Sequence, residues 1–254
     1  SDLIEPSGGP SSDREMPLTA HIEEMVRRLA VVLAIAGVVT LIAYPTSERL
    51  IEFLWQSYIP APLENRPHVY GPLEFVLTKL KVAGLSGTIV GLPVFVYETY
   101  LFMKPGLYPN ERRYYLASVP TSLILAFVGV AFSHFVILPL TMLYFTSYTE
   151  EAAVVAFGLR ETFNLIVLLM GYMAIVFQIP LFVMLAIMMG IVTRRWLVER
   201  RLYFWGAFAA IAFVFSPDPT GMAPLMVAVT MIGLFEGTLL LLKWTGTSSP
   251  VPTS

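Results

Sequence analysis

The sequence predicts an all-α polytopic membrane protein with six transmembrane helices, of which the last two are short. Of its 254 residues, 56% are hydrophobic and only 13% are charged, and the mean hydropathy of +0.72 lies far above that of an average soluble domain. Long apolar runs occupy 29–44, 82–103, 114–138, 162–193 and 202–242, and the segment SPDPTG interrupts the last of them. A helix needs about 20 residues to cross ~30 Å of hydrocarbon, so these runs supply six spans.

The first span needs more residues than its apolar run contains. LAVVLAIAGVVTLIAY is long enough only if the segment from Met25 to Arg28 extends the helix and its two arginines reach the membrane surface. The second span contains Gly87 and Gly91, a small-xxx-small pair that is expected to pack closely against another helix.

The remaining spans differ in length. The third, at 114–138, has no charged residue, and the fourth, at 162–193, is longer than a span requires, so its helix is expected to tilt or to project. LYFWGAFAAIAFVFSP and TGMAPLMVAVTMIGLF are both short for a span, and Pro217 and Pro219 force a tight connection between them. Two short helices are expected to thin the bilayer locally.

The ends of the chain read differently from its middle. Residues 1–15 and 246–254 are polar and rich in Pro, Gly and Ser, which is typical of disordered segments. Met16 follows the first segment directly, as it would after an added expression sequence. The six-helix domain is therefore expected over 16–245. Most of the 16 Lys and Arg residues fall on the side that holds both termini, so the termini are expected in the cytoplasm.

The composition also excludes several functions. The absence of cysteine excludes disulfides and thiolate metal sites, and a net charge of −2 gives no reason to expect nucleic acid. No HExxH or Gly-rich phosphate loop is present, so no metal, cofactor or catalytic site is expected. Gly84-Leu85-Ser86-Gly87 has the GxSG form of rhomboid-type intramembrane proteases, with His134 as its candidate base. Such short matches arise by chance, and His134 is expected to be a satisfied polar residue near the outer surface.

The segments HIEEMVRRL and KPGLYPNERR each place a glutamate beside paired arginines where an apolar run begins. On a helix, Glu24 precedes Arg27 and Arg28 by three and four residues, a pairing worth ~0.2–0.5 kcal/mol. Glu111 follows Asn110, the expected N-cap, and a first-turn carboxylate gains ~0.3–1 kcal/mol from the helix dipole. Local pairing and capping therefore explain both glutamates; the alternative is that they receive a cation from outside the chain.

Three further polar residues lie inside the spans. Gln178 makes either a helix-to-helix hydrogen bond worth about 1 kcal/mol or less, or part of a functional site, and the two interpretations are evenly matched. Pro180 frees a backbone carbonyl that Gln178 or water satisfies. Glu98 and Glu236 lie near the cytoplasmic end of their spans, and both are expected to reach toward the membrane surface.

Five segments, in their order and spacing, resemble the TatC family, the multispanning receptor subunit of the twin-arginine protein translocase. These are HIEEMVRRL at 21–29, FMKPGLYPNERRYY at 102–115, VFQIPLFVMLAIMMGIVT at 176–193, FSPDP at 215–219 and LFE at 234–236. The resemblance extends from about Met16 to Lys243. It implies a concave six-helix bundle in the lipid bilayer of the cell inner (plasma) membrane that binds twin-arginine signal peptides of folded precursor proteins. It also implies recruitment of TatA and TatB into an oligomeric complex, and transport driven by the proton-motive force.

The resemblance assigns roles by position. Glu24 and Glu111 are expected to receive the two signal-peptide arginines, and Phe102, Pro105 and Leu107 belong to the loop that shapes the site. A planar guanidinium makes two charge-assisted hydrogen bonds with a carboxylate, which lysine cannot copy.

Other matches are less direct. Gln178 corresponds to an intramembrane position that is often glutamate in this family and is associated with the concave face and partner docking. Asp218 and Glu236 match a PDP turn and an acid of the last helix, and Val26 replaces an arginine that many relatives carry. The alternative function is a proton-coupled small-solute transporter that uses Glu98, Gln178 and Glu236, although the sequence shows no inverted repeat.

Overall fold

A computed structural model describes residues 18–59, 67–150, 158–216, 218 and 220–245, and within these residues the chain consists of helices joined by short turns. Ten α-helices follow one another: α1 Leu18–Ala43, α2 Ser47–Tyr58, α3 Glu74–Met103, α4 Pro109–Phe132, α5 Leu138–Glu150, α6 Leu159–Val176, α7 Ile179–Met188, α8 Arg194–Glu199, α9 Arg201–Val214 and α10 Met222–Trp244. The two terminal segments expected to be disordered, and both prolines of the predicted tight connection, lie outside the described residues.

Consecutive helices join into long apolar stretches. Five stretches of the described chain are long and apolar enough to cross a membrane: Leu18–Tyr58, Glu74–Gly106, Pro109–Ser147, Leu159–Met188 and Met222–Trp244. The predicted all-α polytopic fold is therefore confirmed, and α1 includes the segment that was expected to lengthen the first span. The remaining predicted span is α9, a shorter apolar helix of 14 residues.

The prediction that both of the last helices are short is wrong for α10. This helix has 23 residues, or about 35 Å at ~1.5 Å per residue, whereas α9 measures about 21 Å. The helix continues past Glu236 because the Glu236 carboxylate accepts a hydrogen bond from Trp205 Nε1 on α9, at 2.9 Å. The Glu236 carboxylate thereby joins α10 to α9.

α3 lies at the centre of the bundle and packs against α1, α4 and α6. Gly87 faces α1 so closely that an added Cβ would lie 2.5 Å from the Ala36 carbonyl oxygen and would also overlap the Thr40 hydroxyl. A Cβ at Gly91, one turn further, would lie 3.5 Å from the Ala36 side chain. The predicted small-xxx-small packing is therefore confirmed, and it brings the two helix backbones together.

Glu74, the first residue of α3, is a buried carboxylate that the sequence analysis did not single out. Glu74 accepts hydrogen bonds from the backbone N–H groups of Tyr70 at 2.7 Å and Gly71 at 3.2 Å, and its second oxygen accepts from the N–H of Arg160 at 2.8 Å. The last contact joins the first residue of α3 to the first turn of α6. Glu74 is 8% exposed, and backbone N–H groups supply the hydrogen bonds that a buried carboxylate requires.

The fourth predicted span breaks at Gln178, between α6 and α7. Pro180 has no backbone N–H, and the Gln178 N–H donates three residues back to the Ile175 carbonyl at 3.0 Å. The Ala174 carbonyl is thereby left free, and Gln178 Nε2 donates to it at 3.1 Å. The carbonyl that Pro180 frees is that of Val176, four residues earlier. The Gln178 amide bonds the Ala174 carbonyl instead, which the shifted N–H of Gln178 itself leaves free.

Gln178 also links this break to α4. Its Oε1 accepts from the Ser122 hydroxyl at 2.6 Å, and its Nε2 donates to the Ser122 carbonyl at 3.2 Å. With 3% of its surface exposed, Gln178 uses both its amide oxygen and its amide nitrogen inside the protein. The interpretation as a helix-to-helix hydrogen bond is the one that the structure realises.

Gly87→Ala is expected to lower the free energy of unfolding by about 1–3 kcal/mol, because its Cβ enters the space of the α1 backbone. Thermal unfolding in detergent measures this change. Gly84→Ala, on the same helix, is the matched control, since no atom lies within 4 Å of its added Cβ. Equal midpoints for the two variants would contradict the close packing of α1 on α3.

Gln178→Leu is expected to destabilise the protein by about 1–3 kcal/mol, because the carbonyls of Ala174 and Ser122 lose a donor in a buried environment. The unfolding midpoint relative to Ile175→Leu, a lipid-exposed position one turn away, measures the effect. A midpoint unchanged in Gln178→Leu would mean that these hydrogen bonds do not hold the break.

Candidate functional site

Several helix ends meet at one end of the bundle and enclose an open groove of about 1060 Å³. We call it the carboxylate groove; it is lined by the start of α1, the end of α3, the turn before α4, the first turn of α4 and the chain after α7. The lining residues are Leu18, His21, Glu24, Phe102, Met103, Pro105, Gly106, Leu107, Tyr108, Glu111, Met189 and Ile191. All five residues that were predicted to form the peptide site therefore line one groove, and Glu24 and Glu111 are the only carboxylates among its described lining residues.

The loop between α3 and α4 is held by Leu107. Lys104–Gly106 forms a single 3-10 turn, closed by a hydrogen bond from the Leu107 N–H to the Lys104 carbonyl at 3.3 Å. The Leu107 side chain is buried against Tyr100 and Tyr115, and its carbonyl accepts from Arg112 Nε at 3.1 Å. This anchoring leaves Pro105 exposed at the edge of the groove.

Phe102 is positioned by α1. Its ring lies 4.6 Å from the His21 ring, centroid to centroid, at an interplanar angle of 52°. The contact joins the first turns of α1 to the last turn of α3 and gives the groove an aromatic wall. Apolar residues, including Leu18 and Met189, complete the lining, so the two carboxylates stand in a mostly apolar surface.

Glu111 occupies the third position of α4 and its Oε2 accepts from the Tyr108 backbone N–H at 2.8 Å. The prediction of Asn110 as N-cap is wrong, because α4 begins at Pro109 and Tyr108 is its N-cap. Proline favours the first helical position, where the N–H that it lacks has no helical partner. The expected first-turn role of Glu111 is confirmed, with the N-cap two residues earlier than predicted.

Glu24 is paired on its own helix, as the sequence predicted. Its Oε1 accepts from Arg28 Nη2 at 2.6 Å and from Arg28 Nε at 3.0 Å. Arg28 also reaches α3, where its Nη1 donates to Glu98 Oε2 at 3.0 Å. The expectation that Glu98 simply reaches toward the surface is therefore wrong, because its carboxylate forms an ion pair with a residue 70 positions away.

Each of the two groove glutamates has one carboxylate oxygen that accepts no hydrogen bond from the described residues. Among the described residues, none donates a hydrogen bond to Glu24 Oε2 or to Glu111 Oε1. Both side chains are also partly exposed. The internal contacts therefore fix the position of each carboxylate without using all of its acceptor capacity.

The other predicted polar residues lie outside the groove and have internal partners. Asp218 is buried, and its two oxygens accept from the Thr220 N–H and hydroxyl at 2.8 and 2.7 Å and from the Ala223 N–H at 2.9 Å. It thus holds the turn before α10 and satisfies a free donor of that helix. Together with the bonds of Gln178 and Glu236, these contacts give all three residues a structural role.

The two alternative functions find little support in these contacts. Glu98, Gln178 and Glu236 bind α1, α4 and α9 respectively, so the structure does not join them into one proton path. Ser86 and His134 do line a common apolar cavity of about 330 Å³. However, His134 Nδ1 is hydrogen-bonded to the Tyr58 hydroxyl, and within the described chain no hydrogen bond joins Ser86 to His134. The expectation that His134 is a satisfied polar residue is confirmed.

Comparison with known proteins identifies the relatives of this chain. The model of the family described as Sec-independent protein translocase protein (TatC) matches residues 20–229. The chain is 65% identical over 260 residues to the Sec-independent protein translocase protein TatCo of Haloferax volcanii, covering 93% of this chain and 59% of that protein. It is 34% identical over 235 residues to the TatC protein of Methanocella arvoryzae, covering 92% of this chain and 97% of that protein.

A solved structure agrees with these sequence matches. The crystal structure of a twin arginine translocase receptor TatC superposes with a TM-score of 0.76 at 22% identity, covering 89% of this chain and 99% of that one. The two proteins share a fold. The chain is an integral membrane protein, and its relatives are named as components of a protein translocase, which is a transport function. By family model, sequence identity and fold, the chain belongs to the TatC family of Sec-independent protein translocases.

Proposed function

We propose that this chain is the receptor and core subunit of a twin-arginine translocase, and that it binds twin-arginine signal peptides in the carboxylate groove. One observation carries the proposal: Glu24 and Glu111 come from helices far apart in the sequence, yet they line the same groove. Each of them also keeps an oxygen that no described residue occupies. Two consecutive arginines in an extended peptide supply two guanidinium groups for these two carboxylates.

The chemistry of the groove favours arginine over lysine. A guanidinium presents two parallel N–H donors to a carboxylate, whereas an ammonium presents a point charge. The apolar lining from Phe102, Leu107 and Met189 lowers the local polarity, which strengthens charge-assisted hydrogen bonds. It also gives the apolar part of a signal peptide a surface on which to pack.

The remaining expectations belong to the same proposal. We place the groove and both termini in the cytoplasm, which the distribution of Lys and Arg supports. Membership of the family supports two further parts of the proposal: recruitment of TatA and TatB to an oligomeric complex in the cell inner membrane, and translocation of folded proteins driven by the proton-motive force. α1 supports partner recruitment, because Val32 is the only one of its described residues that is buried. Gln178 and Asp218 support it only indirectly, since they hold helix breaks in shape.

Glu24→Gln and Glu111→Gln are each expected to weaken binding of a twin-arginine peptide roughly 10- to 100-fold, because a charge-assisted hydrogen bond becomes a neutral one. Glutamine keeps an oxygen for the internal contact, so the fold should persist. Fluorescence anisotropy of a labelled peptide with the purified protein measures the affinity, and thermal unfolding monitors the fold.

Glu23→Gln is the matched control, because Glu23 is the exposed neighbour of Glu24 and does not line the groove. This variant should bind as the unmodified protein does. Unchanged affinity in both Glu24→Gln and Glu111→Gln would disprove the proposed site.

A photoreactive residue in place of Phe102 is expected to crosslink to a twin-arginine peptide and to lose most of that yield with a twin-lysine peptide. The same residue in place of Phe53, exposed on α2 at the other end of α3, is the control and should give no crosslink. Equal yields for arginine and lysine peptides would show that the groove does not recognise the guanidinium.

A further inference from the structure

Arg28 is shared unequally between two carboxylates. Two of its nitrogens, Nη2 and Nε, donate to Glu24 Oε1, and the third, Nη1, donates to Glu98 Oε2. The side chains of Arg28, Glu24 and Glu98 are 20%, 23% and 13% exposed, so water solvates their charges only weakly. One cation thus lies between two anions from different helices, and one negative charge of the group remains without a described partner.

Arg28 carries the same chemical group as the proposed ligand. It binds the very carboxylate that is expected to receive a signal-peptide arginine, and it does so from one helical turn away on the same helix. A competitor attached to its target acts at a high effective concentration. If Arg28 gave all of its donors to Glu24, an incoming guanidinium would have to break a complete ion pair before it could bind.

We propose that Glu98 determines the affinity of the groove for guanidinium by competing with Glu24 for Arg28. While the groove is empty, Glu98 holds Nη1 of Arg28, and the other two nitrogens reach only one oxygen of Glu24. When an arginine of the peptide binds Glu24, Arg28 turns to Glu98. This inference rests on the proposed function, and it makes Glu98 a positioning residue that acts on the ligand only through Arg28.

The exchange conserves ion pairs, which is why it requires little free energy. Before binding, one arginine serves two carboxylates; after binding, Arg28 pairs with Glu98 and the arginine of the peptide pairs with Glu24. No charge is left unpaired in a partly buried place, where isolation is costly. Without Glu98, the displaced Arg28 would lose its partner, and the exchange would be unfavourable.

The two arrangements also differ at the contact between α1 and α3. In the empty groove Arg28 bridges these helices, because it forms one ion pair with Glu24 on α1 and one with Glu98 on α3. The same three residues could therefore serve only to hold α1 against α3, or could exchange partners when the peptide binds. The two roles differ in whether the effect of changing Glu98 on peptide affinity depends on Arg28.

The test is a double-mutant cycle on peptide affinity with Glu98→Gln, Arg28→Gln and the combined variant, in the full chain in detergent. Glu98→Gln is expected to weaken twin-arginine binding about tenfold, since Arg28 then serves Glu24 alone. Arg28→Gln is expected to bind at least as tightly as the unmodified protein. In the combined variant, the effect of Glu98→Gln should fall below twofold, because the competitor is absent.

Two results would overturn the inference. If Glu98→Gln weakens binding equally with and without Arg28, Glu98 contacts the peptide directly. If both single variants weaken binding and the combined variant is no better, the three residues are a structural clamp. Arg28→Lys, which keeps the charge but not the planar fork, provides a second variant should Arg28→Gln lower the unfolding midpoint, and it is also expected to relieve the competition.

Glu48→Gln is the matched control, since Glu48 pairs with Lys79 across α2 and α3 at 3.5 Å, away from the groove. The affinity of this variant for the twin-arginine peptide should be unchanged.

Failure of the proposed function would give a different result. In that case the unmodified protein itself would not distinguish twin-arginine from twin-lysine peptides, and the inference on Glu98 would fall with it. Discrimination by the unmodified protein together with a flat cycle would reject the role of Glu98 alone.

Discussion

The close contact between α1 and α3 sets the geometry on which the carboxylate groove depends. The two helices run antiparallel, and their backbones approach at Gly87, where a Cβ would overlap Thr40 and the Ala36 carbonyl. From there the same register leads to the ion pair of Glu98 with Arg28 and then to the ring contact of Phe102 with His21. Each step toward the end of α3 is matched by a step toward the start of α1. A rotation of either helix by one residue, about 100°, would separate all of these partners.

The extent to which each polar side chain is used inside the protein separates structural residues from the candidate ligand-binding ones. Glu74, Asp218 and Gln178 are buried, and their polar atoms are bonded to backbone groups or to neighbouring side chains. Glu24 and Glu111 are held through one oxygen and are partly exposed. Burial demands complete hydrogen bonding because water is excluded, whereas a site must leave capacity for its ligand. The partly used carboxylates coincide with the carboxylate groove.

The sequence predicts what depends on short separations and misses what depends on the register of distant helices. The pairing of Glu24 with Arg28 and the first-turn role of Glu111 follow from spacing on a single helix, and both are confirmed. Glu98 was misjudged because Arg28 lies 70 residues away, and the contact of Glu74 with α6 was overlooked because Arg160 lies 86 residues away. The meeting of Glu24 with Glu111 in one groove required the fold, although the family resemblance had already joined them. The length of α10 was missed because a hydropathy pattern does not contain the hydrogen bond from Trp205.

The short α9 explains why the turn at Asp218 is so completely bonded. Arg200 precedes α9 and Arg201 is its first residue. If their charges stay at the membrane surface, a helix of about 21 Å ends well inside ~30 Å of hydrocarbon. The turn that follows then lies at a depth where an unpaired backbone group costs several kcal/mol. The Asp218 carboxylate accepts three hydrogen bonds there, including one from the Ala223 N–H at the start of α10. Because α10 is long enough to cross, the mismatch in length is confined to α9, and any thinning of the bilayer is expected on that side of the bundle alone.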